Sequence, residues 1–236
     1  MKFRRSKPEQ PDAVDDLDTS DPGARGLAPD GAAPSSNPDD LRPDGPWDST
    51  EVTLDDDTAR MDLGGLIVTG KPGLELRLQV DEPTQKVAAV LLLGPEGGVE
   101  LRPFAAPRNA DIWEDIRRQI AAETARRGGT ATAADGTYGK ELQVVMPVTM
   151  PDGKSATQPS RVLGIRGPRW LLRATFLGKP ALEPDPTGAI ETAMREVIVV
   201  RGNAPMPPGE PLPLVMPANA QPMQPGQRDQ PQQPPS

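Results

Sequence analysis

Residues 161–178, RVLGIRGPRWLLRATFLG, read as a β-hairpin. Gly167-Pro168 marks the turn: proline pre-sets φ, and glycine is free to take a backbone angle that other residues avoid. Beyond the turn the sequence alternates strictly. Trp170, Leu172, Ala174 and Phe176 fall on one face, and Arg169, Leu171, Arg173 and Thr175 on the other. The whole chain holds 3 Phe and 3 Trp, and Trp170 and Phe176 share this one face. A strand that concentrates scarce rings in this way predicts the centre of a core, so the fold must be organised around a sheet.

Proline, aspartate and glutamine crowd the two ends and leave one central domain between them. Residues 1–57 hold 6 Lys+Arg against 15 Asp+Glu, residues 58–202 hold 19 against 17, and residues 203–236 hold 1 against 2. The acidity therefore belongs to the amino-terminal stretch, and the central part is nearly neutral. Residues 1–57 and 218–236 have too few apolar side chains to offset the entropy of ordering, so both are expected to be disordered tails. The domain is expected over 58–202, followed by a Pro-rich extended segment at 203–217. The start MKFRRSK is basic, but an acidic stretch follows where a secretory signal would be apolar. The longest apolar run, Val87 to Leu93, falls far short of the roughly 20 residues that span a bilayer. With no cysteine in the chain, a reducing compartment suits it, and a cytoplasmic protein is expected.

Between the tails, Met61–Thr69 predicts a strand around Gly64-Gly65. Leu74–Val80 alternates apolar and polar, as an antiparallel strand with one wet face does. Val87–Leu93 is apolar on both faces, and Val99–Phe104 returns after the Gly94–Gly98 turn. Residues 110–127 predict the best helix, with Ile112, Trp113, Ile116 and Ile120 on one stripe. Asp111 and Glu114 match a capping box, and Asn109 competes as the cap. A strand at Leu142–Val148, a polar loop at Met150–Pro159, the hairpin, a short helix over Thr187–Arg195 capped by Thr187, and a strand at Val197–Val200 complete the series. Strands outnumber helices and do not alternate with them. The expectation is a single α+β domain with a mostly antiparallel sheet of about six to eight strands and two helices. Trp47 is expected to tuck against the domain edge.

The chemistry is bounded by what is missing. Without histidine there is no Ser-His-Asp triad and no ordinary general base near neutral pH. Without histidine and cysteine there are no ordinary zinc sites or thiolate nucleophiles. Carboxylates are poorly placed for Mg²⁺: Asp55-Asp56-Asp57 lies at the tail boundary, and Asp135 and Asp152 sit in separate loops. Gly70-Lys71 is followed by Pro72 where a phosphate-binding loop needs Ser or Thr. No catalytic, cofactor-binding or metal-ligating residue is assigned, and no cofactor is expected.

Two features remain as candidate contacts. Arg161, Arg166, Arg169 and Arg173 lie on or beside one hairpin and form a short basic ladder if the face opposite Trp170 is wet. Such a ladder suits an anion or an acidic partner segment, the chain's own acidic tail included. Leu212, Leu214, Val215 and Met216 form an apolar island among prolines, to be packed on its own domain or in a partner's groove. The basic start, Lys2 to Lys7, reads as a solvated terminus.

Three stretches carry a resemblance: IRGPRWLLRATFLG, the later VIVVRGNAPMPPGEPLPLVMP, and DIWEDIR on the first helix. With the acidic stretch after an MKFRRSK-like start, they resemble an actinobacterial family catalogued as a domain of unknown function, over about residues 50–217. The resemblance implies genes lying near those for dUTPase and a small nucleic-acid-binding protein, and so a loose link to nucleotide or nucleic-acid metabolism. It supplies no catalytic residues. The functional expectation is a non-enzymatic cytoplasmic interaction module that docks another protein. The alternative is a nucleic-acid or nucleotide-binding accessory protein using the arginine-bearing hairpin.

Overall fold

The alternation over 170–176 becomes the middle strand of the larger of two sheets. The computed structural model describes residues 41–54, 59–108 and 110–217. Lys2 to Lys7, Asp55 to Asp57, Asn109 and both expected tail ends lie outside the described residues. In chain order the elements are β1 (Trp47–Asp48), β2 (Arg60–Asp62), β3 (Leu66–Thr69), β4 (Glu75–Asp81), β5 (Lys86–Gly94) and β6 (Gly97–Ala105). Then come α1 (Trp113–Arg126), β7 (Thr130–Gly136), β8 (Gly139–Thr149), β9 (Ser155–Gly167) and β10 (Trp170–Gly178). α2 (Lys179–Leu182), α3 (Ala189–Arg195) and β11 (Ile198–Val199) finish the series. Seven strands pair in the order β4-β5-β6-β10-β9-β8-β7, and four in the order β1-β11-β3-β2. Every pairing is antiparallel except β1 with β11. The architecture is the α+β, mostly antiparallel arrangement that the strand-rich order predicts.

The register explains why β10 is central. Trp170, Leu172, Ala174 and Phe176 lie opposite Ala105, Pro103, Leu101 and Val99 of β6, and opposite Gly167, Ile165, Leu163 and Arg161 of β9. All four side chains of this β10 face are fully buried. They form the main core with the small sheet (Leu66, Val68, Val199) and with Ile190, Ala193 and Met194 of α3. The opposite face of the large sheet has its own, smaller core. There Leu171, Leu142, Val144 and Val162 pack under Trp113, with Ile112, Ile116 and Ile120 of α1 beside them.

The expected hairpin turn is corrected in one respect. The residue with positive φ is Arg169, at 62°, not Gly167. Gly167 is needed for space, because a Cβ there would enter the Trp170 ring. Gly164 is bare for the same reason, under the ring of Trp113.

The helix caps also differ from the expected ones. Asp111 accepts a bond from the Trp113 N–H at 2.8 Å, but Glu114 pairs with Arg117 rather than closing a capping box. α3 starts after Gly188, and the Thr187 hydroxyl donates to Asp185 Oδ1 at 2.8 Å instead of capping the helix. Trp47 tucks against the domain as part of β1, the edge strand of the small sheet. Its neighbour Asp48 is 4% exposed.

The segment after β11 is a strap between the two sheets. β5 pairs with β6 only from Val90 onward, and the strap fills the gap beyond. Leu212 N–H donates to Pro103 O, Gly65 N–H to Pro213 O and Val215 N–H to Leu63 O, each at 2.9 Å. Pro103 lacks an N–H and sits where β5 has already left, so no ladder bond is forfeited there.

Candidate functional site

The four hairpin arginines do not form one ladder. Arg161 points into the main core side, 7% exposed, with its guanidinium 4.4 Å from the Phe176 ring centre. It is ion-paired with Glu191 of α3 and lies 3.6 Å from Glu141 of β8. Two carboxylates thus share one buried cation. Burial pushes the Glu141 carboxyl above the usual range, with Arg161 opposing and Glu191 adding to the shift. Tyr138, whose hydroxyl donates to Gly45 O at 3.3 Å, is pushed up chiefly by burial too. Arg166 is exposed and 3.5 Å from Asp111. Arg169 is in the turn and donates to Gly202 O at 3.0 Å. Arg166 and Arg173 lie on the sheet face opposite Trp170, Arg166 across from Leu171 beside the start of α1 and Arg173 farther along β10.

That face is half covered. α1 packs on β7 and β8, and its Trp113 reaches Gly164 of β9 and Leu171 of β10. The part of the face that carries Leu91, Leu93 and Leu177 lies outside this cluster as the open half. On the open half the register aligns Arg173 with Arg102, Thr175 with Glu100, and Leu177 with Gly98. The next strands add Leu91 and Leu93, and then Glu75, Arg77 and Gln79. Leu91, Leu93 and Leu177 are all half-buried. The charged groups run in pairs: Arg77 to Glu75 at 2.7 Å, Arg102 to Glu100 at 2.6 Å, and Arg102 to Gln79 at 3.0 Å. Sequence alternation identified the arginine but not the patch, because Leu91 and Leu93 sit in a run that is apolar on both faces and reads as interior.

Between α1 and β10 runs a crevice of about 370 Å³, lined by Ile116, Ile120, Thr124, Arg127, Met146 and Arg173. Arg173 enters it from the sheet with its guanidinium 5.5 Å from the Phe104 ring centre. Burial lowers the pKa of Arg173, and neighbouring Arg102 adds to this, against Glu100.

The apolar island divides in two. Leu212 and Leu214 are 3% and 8% exposed and belong to the main core, whereas Val215 and Met216 are exposed. Of the candidate carboxylates, Asp135 pairs with Lys140 at 2.6 Å and Asp152 with Lys154 at 2.9 Å, in separate hairpins. No helix among the described residues is long and apolar enough to cross a membrane.

The family described as Protein of unknown function (DUF3710) matches residues 45–223. The chain belongs to the DUF3710 family. The match takes in β1, both sheets and the whole strap, so the strap is part of the DUF3710 domain and not an appendage. No curated protein matches the chain. Among solved structures, the solution structure of cyanobacterial PsbP (CyanoP) from Synechocystis sp. PCC 6803 is similar to the DUF3710 chain at a TM-score of 0.33 and 10% identity. That similarity covers 63% of this chain and 97% of that one.

Proposed function

We propose that the chain is a non-enzymatic cytoplasmic interaction module, and that the open half of its large sheet docks another protein. One observation carries this reading: Leu91, Leu93 and Leu177 lie half-buried on a sheet face, bordered by Arg77, Arg102 and Arg173. A contiguous apolar patch with arginines around it has the make-up of a protein interface. The exposed end of the strap, Val215 and Met216, is a second, smaller contact. A chain without histidine or cysteine has few means of acid-base or nucleophilic chemistry, and it suits a reducing cytoplasm. The accessory nucleic-acid reading needs several basic groups on one surface, whereas Arg161, Arg166, Arg169 and Arg173 are dispersed.

The test is photo-cross-linking in the cells that make the protein. A photoreactive residue replaces exposed Gln79 on the open face or exposed Asp152 in a remote hairpin. A discrete protein adduct from position 79, absent from position 152 and lost in Leu91→Gln/Leu93→Gln, is expected. Adducts equal at both positions, or none at position 79, would overturn the reading.

A further inference from the structure

The geometry points to the crevice between α1 and β10 as a carboxylate-recognition site, into which the docked protein inserts an acidic side chain flanked by aliphatic ones. This rests on the docking reading above and adds the chemistry of the partner.

The argument starts from a deficit of negative charge. Glu100 serves two guanidiniums: its Oε1 is 2.6 Å from Arg102 Nε and 3.8 Å from Arg173 Nη2. Arg102 has the short bond and a second acceptor in Gln79. Arg173 has only the long contact to a carboxylate, beside the Phe104 ring that its guanidinium overlies at 5.5 Å, and its Nε is buried without a hydrogen-bond acceptor. A buried donor left unmade is costly, and a charged one more so. At the far end of the crevice Arg127 is exposed, with no ion pair among the described residues. Glu123, the one carboxylate lining the crevice, is occupied by Arg126.

The walls decide what kind of anion fits. Ile116 and Ile120 form one side and Met146 the end, all half-buried. A bare phosphate leaves these side chains facing water. A neutral aliphatic group leaves Arg173 unanswered. A nucleic-acid strand brings many charges to a site with two guanidiniums and an aliphatic wall. A carboxylate between aliphatic neighbours satisfies both parts, as an interface anchor for which arginine is well suited.

The probe is an acetylated, amidated Leu-Glu-Leu tripeptide, with Leu-Gln-Leu as its neutral counterpart. Both are titrated into the full chain and followed by NMR at the Arg173 Nε–H and the Met146 methyl. Leu-Glu-Leu is expected to shift both signals and to bind about tenfold more tightly than Leu-Gln-Leu. Arg127→Gln, at an exposed helix end, should weaken Leu-Glu-Leu severalfold without unfolding the protein, and Arg173→Gln should abolish the preference for glutamate. Equal binding of the two peptides, or no shift with either at millimolar concentration, would overturn the site. The two readings fail separately. Cross-links from position 79 that persist unchanged in Arg173→Gln leave the docking face standing and remove the carboxylate site. Peptide binding without such cross-links removes the docking face and keeps the carboxylate site.

Discussion

The indole N–H of Trp170 donates to Asp48 Oδ2 at 2.7 Å, across 122 residues of chain. The bond ties the short parallel strand β1 to the middle of the seven-stranded sheet. Both partners are buried, and the Arg42 guanidinium covers the ring at 5.1 Å from its centre. A large ring with a polar atom can occupy a core only if that atom finds an acceptor. The amino-terminal segment supplies it.

Asp48→Ala should therefore destabilise the domain by about 1–3 kcal/mol, the cost of an orphaned buried donor. The loss also frees the Thr50 N–H and hydroxyl, which bond Asp48 Oδ1 at 2.9 and 2.6 Å. Asp48→Asn keeps an acceptor and should cost less. Urea unfolding followed by tryptophan fluorescence checks the order. Equal stability of wild type and Asp48→Ala would show that the bond contributes nothing.

Alanine substitutions along the strap should separate its two halves. Leu212 is 3% exposed within the main core, and Val215 is 52% exposed. Leu212→Ala is expected to cost about 2–5 kcal/mol, as large-to-small core changes do. Val215→Ala should stay within about 0.5 kcal/mol. Thermal melts of the two variants decide it. A melt unchanged by Leu212→Ala would mean that the strap does not hold the sheets together.

How much of this was legible beforehand depends on what each residue answers to. The centre of the sheet was plain because Trp170, Leu172, Ala174 and Phe176 answer to a local period of two. α1 was plain for the same reason at a period near 3.6. β7 was not, because an edge strand reading TATAADG packs small side chains and shows no apolar alternation. The first half of β9, SATQPS, pairs with β8 beyond the core, so it too is polar. Gly167 reads as freedom for the backbone but is a hole for the Trp170 ring, and Gly164 is a hole for the ring of Trp113, a residue far along the chain. The arginines were the hardest to read. Alternation assigns Arg173 a face, but only the third dimension shows that α1 covers part of that face, or that Arg161 is enclosed by Glu141 and Glu191.

The buried Arg161 cluster gives a pH dependence of definite sign. Glu141 has a folded pKa raised chiefly by burial, so the fold holds its proton more tightly than the unfolded chain does. Stability from this group is full below the unfolded value of about 4.3 and is lost as pH rises through the folded value. Glu141→Gln mimics the protonated form. It should be at least as stable as wild type at pH 7, with the gap closing as pH falls through the folded value and gone below about 4.3. Arg161→Leu should instead cost about 3–5 kcal/mol at pH 7, because it leaves two carboxylates buried without their cation. Urea midpoints at pH 7 and pH 4 test both; a Glu141→Gln variant weaker than wild type at pH 7 would reverse the assignment.

Gly164 and Trp113 should behave as a coupled pair. The Trp113 indole lies against the bare Cα of Gly164, and its N–H donates to Lys140 O at 2.6 Å. A methyl at position 164 enters the ring's space, so the ring must move and the bond to Lys140 lengthens. Overpacking of this kind costs about 1–3 kcal/mol. Trp113→Leu removes the ring and leaves a cavity, a loss of similar or larger size. The double variant Gly164→Ala/Trp113→Leu should then be more stable than the two separate losses sum to, because the added methyl no longer meets a ring and fills part of the space it vacated. Urea unfolding of the four proteins, followed by far-ultraviolet circular dichroism, closes the cycle. Strict additivity would mean that the glycine is not kept bare for this ring.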